Sequence, residues 1–277
     1  MQRETATMKG FMTNIWSFIS GTVIGVLGGL MGLGGAEFRL PVLVGYFEFT
    51  TFQGIIINLV VSLITVIFSF IFRSTSIPLV DIGENYGVIL NLLAGSIIGA
   101  FIGVRLATKI NSKKLDKIVF IFLMFLGIFM ITHSLIHFNH LELTPIIRII
   151  SGFLAGLIIG IFSSMLGVAG GELIIPTIIL LYAIDIKLAG SLSLCISFPT
   201  VLIGILKYKQ NSEFKIIKNN MNFVFFMAIG SVLGAFICSR ILIGIEASTL
   251  QLILGIVLLI SAFKIFRKKR EESKARV

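Results

Sequence analysis

Apolar residues run in long blocks along this chain, at about 10–36, 49–72, 85–104, 118–136, 149–171, 188–206, 221–239 and 247–263, separated by short polar links. An α-helix needs roughly 20 apolar residues to cross a hydrocarbon layer about 30 Å thick, and most of these blocks have that length. The pattern predicts an all-helical polytopic membrane protein of eight to ten segments with no separate soluble domain. The first block carries glycines throughout and has no small-residue cleavage signal after it, so it is read as a retained segment.

Composition points the same way. Of 277 residues, 56% are hydrophobic and only 13% charged, against about 25% charged in a soluble domain. The formal net charge of +10 would suit a nucleic-acid binder, but seven basic residues (Lys264, Arg267, Lys268, Lys269, Arg270, Lys274 and Arg276) lie in the tail at 264–277. That clustering is an orientation signal, and nucleic acid is not an expected partner. Cys195 and Cys238 lie inside apolar blocks without metal or disulfide spacing, and no role is assigned to them.

Shifted by 135 residues, the chain aligns with itself without a gap. GSIIGAFIGVRLATKI at 95–110 faces GSVLGAFICSRILIGI at 230–245, and GLGGAEFRLP at 32–41 faces GVAGGELIIP at 167–176. Asn58, Leu59, Ser62 and Thr65 face Ser193, Leu194, Ser197 and Thr200. The protein reads as one transporter domain of two repeats, about 10–138 and 145–267. Each repeat has an odd number of helices beyond its motif hairpin, so the second is expected to be inverted.

Charge supports the inversion. The links at 105–117 and 207–218 are rich in lysine and, by the positive-inside rule, cytoplasmic, while their counterparts at 240–252 and 72–84 carry Arg240 with Glu246 and Arg73 with Asp81 and Glu84. With the basic tail, this places both termini in the cytoplasm and the protein, multi-pass, in the plasma (inner) membrane.

Inverted repeats and broken helices are a common construction of secondary transporters, with the free helix N-termini at the midplane attracting anionic groups. Gly34, Gly35, Gly170 and Gly171 interrupt the apolar blocks at matching points, and backbone N–H groups freed there are candidate substrate ligands. The spaced pairs Gly21/Gly25, Gly95/Gly99, Gly156/Gly160 and Gly230/Gly234 read instead as close helix packing.

Glu37 and Glu172 are carboxyl groups deep in apolar sequence, where such residues mark proton, ion or substrate pathways. Glu37 is a candidate either for coupling or for an ion pair with Arg39; Glu172 has no such neighbour and is the stronger candidate for proton coupling. Asn58 and Ser193 either line a cavity or hydrogen-bond across helices. Arg105 and Arg240 close matching helices, where they snorkel to the interface or draw anions to the pathway. His133, His137, His140 and Glu142 have one metal-like spacing but fall at a helix end, and an interfacial, solvated role is expected. No catalytic motif, metal site or cofactor signature is present, so an enzyme is not expected.

The motif residues Gly32, Gly34, Gly35, Ala36 and Pro41, with Gly167, Ala169, Gly170, Gly171 and Pro176, resemble the glycine-rich run of the TauE/SafE (TSUP) family of membrane proteins. GIIINL at 54–59, AGSLSL at 189–194 and GAFIGVRL at 99–106 are similar to other elements of that family, in order over the whole chain. Alanine replaces one glycine in each copy, and Glu37, Arg39 and Glu172 stand where many members are apolar. The resemblance implies transport of small sulfur-containing anions (sulfite, sulfonate or thiosulfate) linked to a proton or cation gradient. An anion channel and a membrane subunit of a larger complex are the alternative readings.

Overall fold

The computed structural model describes residues 2–107, 124, 127–128, 131–132, 144–242, 244–246, 248–250, 252–253, 255–256 and 259–260. The histidines of 133–140, Glu142, most of the 105–117 link and the basic tail lie outside them. Helix α1 spans Gln2–Met31, α2 Ala36–Gly45, α3 Thr51–Arg73, α4 Leu79–Glu84 and α5 Tyr86–Ala107. After the central stretch come α6 (Pro145–Leu166), α7 (Gly171–Tyr182), α8 (Ile186–Tyr208), a 3₁₀ turn at Ser212–Phe214, α9 (Lys215–Asn219) and α10 (Met221–Leu242). Six of these are long and apolar enough to cross a membrane.

The first and fifth predicted blocks end earlier than their apolar composition suggests. Helix α1 stops at Met31 and α6 at Leu166, because the glycines that follow leave helical space: Gly32, Gly34, Gly35, Gly167 and Gly170 all have φ between 66° and 79°. Only glycine adopts that region without a steric penalty. Helix α2 has 10 residues and α7 has 12, so at 1.5 Å per residue they reach about 15 and 18 Å, short of a bilayer's roughly 30 Å. Each folds back along the helix before it. Gly35 meets Ile24 and Gly28, and the Tyr46 ring beyond α2 meets Trp16 low on α1.

Matching N-caps start the next helices. Thr50 forms a capping box with Gln53 at the start of α3, and Asp185 accepts from the Lys187 N–H at the start of α8. A side-chain oxygen there satisfies a backbone donor that the first turn would leave unpaired.

Glycine seams hold α1 to α10 and α5 to α6, and both join one repeat to the other. Gly21 and Gly25 of α1 lie against the backbone of Met227 and Ser231 of α10, and Gly230 and Gly234 against Phe18 and Thr22. Likewise, Gly95 and Gly99 of α5 lie against Phe153 and Leu157 of α6, and Gly156 and Gly160 against Leu92 and Ser96. Residue numbers rise together along both seams, so each pair is parallel. Lipid gives helices no hydrophobic reason to associate, so close backbone approach through small residues supplies the dispersion contact instead.

Helix α3 runs with α10, Phe72 meeting Phe236 and Ser76 reaching the Ser239 carbonyl. Helix α8 runs with α5, where Ser96 meets Thr200 and Lys207 lies over Phe101. Helices α3 and α8 cross antiparallel, since Leu59 packs on Gly204 while Arg73 reaches Lys187. The set α1, α3, α10 therefore runs opposite to the set α5, α6, α8, and the two motif hairpins meet between them.

Candidate functional site

The breaks meet tip to tip. Leu33 and the Gly32 carbonyl lie against Gly171, and Gly32 lies against Gly190 of α8. Gly34, Gly35, Gly170 and Gly171 are all buried here. Of the two alternatives for Asn58 and Ser193, the structure shows hydrogen bonding. The Asn58 amide donates to the carbonyl oxygens of Ala36 and Gly167, 2.9 Å each. Ser193 Oγ donates to Gly32 O at 2.6 Å. Since Gly32 and Gly167 are repeat counterparts, each repeat's long helix holds the carbonyl of the other's left-handed glycine. Asn58→Ala is expected to cost more stability than Ser193→Ala, because it strands two carbonyls and a guanidinium N–H rather than one carbonyl. At about 1–3 kcal/mol per unsatisfied buried group, the gap should be visible as a lower melting temperature of the detergent-solubilised protein.

Arg39 is the largest fully buried side chain of the described residues. It does not pair with Glu37, contrary to the ion pair weighed from the sequence. Residues two apart on a helix point in different directions, and Arg39 turns instead toward α3 and α10. Its Nη1 donates to Asn58 Oδ1 (3.3 Å) and Ser62 Oγ (2.8 Å). Its Nη2 donates to Gly34 O (3.3 Å), Thr65 Oγ1 (3.3 Å) and Ser231 Oγ (3.1 Å). Every hydrogen-bond partner is neutral, and Nε has none; Glu37 is within electrostatic reach without bonding it. In the second repeat the matching residue is Ile174, and there Ser96 and Thr200, counterparts of Ser231 and Thr65, bond each other directly at 2.9 Å. The guanidinium is thus inserted into a contact that the other half makes without it.

Glu37 and Glu172 stand in the first turns of α2 and α7, whose N-caps, Gly35 and Gly170, have no side chain to offer. Both carboxylate oxygens of Glu37, and Oε2 of Glu172, are buried without a hydrogen bond, and the two groups lie within electrostatic reach of each other. The positive ends of two short helices, two carboxyl groups and one guanidinium so converge on one buried locus.

Arg105 and Arg240 are not part of it. Both are exposed in the last turns of α5 and α10, with Arg240 over the Phe236 ring. Among the described residues no cluster of three or more His, Cys, Asp or Glu side chains is assembled. An open cavity of about 680 Å³ lies elsewhere, between the start of α10 and the loop after α2, where Phe47, Phe49, Lys218 and Asn222 line it.

Two buried residues escaped the sequence reading. Arg73, counted there in an external link, closes α3 at 2% exposure, and Tyr208, its counterpart, closes α8 at 3%. Their signal was the shared repeat position with unlike polar side chains.

Compared with known proteins, residues 2–130 and 152–277 match the family described as Sulfite exporter TauE/SafE. No curated protein and no solved structure matches the chain.

Proposed function

The chain belongs to the TauE/SafE sulfite exporter family, a family of membrane transporters of sulfur anions, and on that premise we propose that it is a secondary carrier that binds its anion at the buried meeting point of the two motif hairpins. The observation that carries this reading is Arg39, a buried cation whose hydrogen-bond partners are all neutral. Burying a charge in a low-dielectric interior is costly unless it is paired; Glu37 lies within electrostatic reach but makes no hydrogen bond to the guanidinium, and a small anion supplies a directly bonded counter-charge. Uncapped first turns at Gly35 and Gly170 add N–H donors on the same locus.

The two repeats are taken as inverted, which the opposite running of α3 and α8 supports. Rocking the seam-joined set α1, α3, α10 against the set α5, α6, α8 then exposes the locus to each face in turn. The start of α3 shares a face with the lysine-rich link after α8, Gln53 bonding Glu213 there, and the positive-inside rule makes that face cytoplasmic.

Coupling follows from the same geometry. Ionised, Glu37 and Glu172 occupy the positive helix ends and repel an anion; protonated, they vacate that charge. An anion and a proton therefore bind together more readily than either alone. Flux of sulfite into proteoliposomes should saturate, rise as the pH on the loading side falls, and be driven by an inwardly directed proton gradient. In Glu172→Gln, which cannot ionise, the gradient's effect should shrink at least about tenfold, the factor that 1.4 kcal/mol of lost coupling represents. Linear flux that ignores the gradient in both proteins would favour a channel; no flux of sulfite, a sulfonate or thiosulfate through the purified chain in tight liposomes would refute the reading.

A further inference from the structure

Asn58, Ser62, Thr65, Ser69 and Arg73 are spaced four, three, four and four residues apart, which puts them on one face of α3. All five are at most 2% exposed. Their repeat counterparts Ser193, Ser197, Thr200, Gly204 and Tyr208 make the same face of α8, and they too are buried. Because the helices run antiparallel, with Leu59 beside Gly204 and Arg73 beside Ser191, they cross near their midpoints, about 62–65 and 197–200, and from there one polar face leads to the far end of α3 and the other to the far end of α8. These are opposite faces of the molecule.

Small polar residues alone would be unremarkable packing. Ser69 Oγ on one face and Ser197 Oγ on the other, however, are buried with no hydrogen-bond partner, and a buried hydroxyl is ordinarily satisfied. The α3 row thus carries a free hydroxyl between the crossing and Arg73, and the α8 row carries one at the crossing itself.

Each row ends in a plug of the same construction. Arg73 Nη1 donates to Gly29 O at 3.0 Å and Leu30 O at 3.2 Å, Nη2 to Lys187 O at 2.7 Å and Nε to Ser191 Oγ at 3.3 Å. Tyr208 Oη donates to Ser164 O at 3.1 Å, and its ring stands edge-on to Phe52, 5.6 Å between centroids. Gly29 and Ser164 are repeat counterparts, as are Phe52 and Lys187. Each plug therefore bridges the last turns of its own repeat's first helix to the start of the other repeat's long helix.

We propose that Arg73 and Tyr208 are paired gates closing two polar half-paths that lead from the crossing to opposite faces, and that the Arg73 guanidinium, once released from its carbonyls, is an additional binding group for a small oxyanion at its end. This rests on the carrier reading above. With both plugs seated the crossing is occluded; releasing one opens one face. The gates are chemically unlike, so an anion is held at the Arg73 end and not at the Tyr208 end.

The test uses thiol accessibility, which needs no knowledge of the substrate. In a Cys195→Ala, Cys238→Ala background, Ser69→Cys and Ser197→Cys serve as reporters for an impermeant anionic methanethiosulfonate applied to either face of proteoliposomes. Arg73→Gln should raise labelling of the Ser69→Cys thiol about tenfold from the outer face only, and Tyr208→Phe should do so for the Ser197→Cys thiol from the cytoplasmic face only. Should Arg73→Gln not elute as a single species, Arg73→Lys, which keeps the charge but not the fork, reads the same gate. Labelling that neither gate variant changes, or both reporters reached from one face, overturns the proposal. Reporters reached from opposite but exchanged faces support the gates and reverse the orientation assigned above. A carrier that moves none of the tested anions yet shows gated labelling overturns the substrate reading alone.

Discussion

Arg39→Ile is expected to reduce anion flux about a hundredfold while the protein still elutes as a folded species. Isoleucine is what the second repeat has at this place, Ile174, and there the flanking Ser96 and Thr200 satisfy each other. Ser231 and Thr65 can close the same way once the guanidinium is gone; Asn58 Oδ1, Ser62 Oγ and the Gly34 carbonyl lose a donor, a cost offset by no longer burying a charge without a bonded counter-ion. The anion loses its counter-charge. Truncating one side of a buried, hydrogen-bonded charge pair costs about 2–5 kcal/mol, and at 1.4 kcal/mol per factor of ten the hundredfold figure corresponds to about 3 kcal/mol of that range. Arg39→Lys separates charge from geometry: a point charge cannot reach five acceptors with a planar fork, so flux should return in part with weaker apparent affinity. Undiminished flux in Arg39→Ile, measured with radiolabelled sulfite, would make Arg39 a purely structural tie.

Gly32→Val should leave almost no folded protein. Gly32 has φ +75°, and a Cβ there would stand 2.5 Å from the Gly190 carbonyl oxygen and 2.7 Å from its Cα. The left-handed backbone costs a non-glycine residue about 1–3 kcal/mol, and a β-branched one is worse still. Overlap with backbone adds about 1–3 kcal/mol that no rotamer change relieves. Against a total stability of about 5–15 kcal/mol, that removes most of the margin and also displaces the carbonyl to which Ser193 bonds. Gly45→Val is the control, since that glycine is exposed and a Cβ there meets nothing within 4 Å. Its size-exclusion profile should match the parent's; equal losses in both variants would show that valine at any glycine of the hairpin is harmful.

Much of the architecture was legible because the repeat is written in the residues. The helices beginning at Ala36, Thr51 and Tyr86 recur, each 135 residues on, at Gly171, Ile186 and Met221, as the self-alignment predicts. The glycine pairs read as packing seams do pack. Helix ends at the motif were less legible, since hydropathy continues through glycines that the backbone does not treat as helical. Glu37 and Arg39 show a second limit. Opposite charges two residues apart suggest a pair, whereas on a helix they diverge, and only the three-dimensional neighbours Ser62 and Ser231 reveal where the guanidinium goes. Arg73 shows a third. A basic residue closing an apolar block reads as snorkelling to the interface, and nothing local tells that the carbonyls of Gly29 and Lys187, from distant parts of the chain, are waiting for it.

The seam between α1 and α10 joins the first long helix made to one of the last. During synthesis the glycine face of α1 must therefore sit in the bilayer unmatched while some 200 further residues, a span read from the two helices' positions, are inserted. At about 5–20 residues per second that wait is on the order of 10–40 s. A ribosome that stalls, or a truncation anywhere before Met221, leaves an unpartnered helix with a Gly21–Gly25 notch, the kind of surface that other small-residue helices associate with. Quality control of this protein is thus decided late, by whether its α10 reaches α1 before a stranger does.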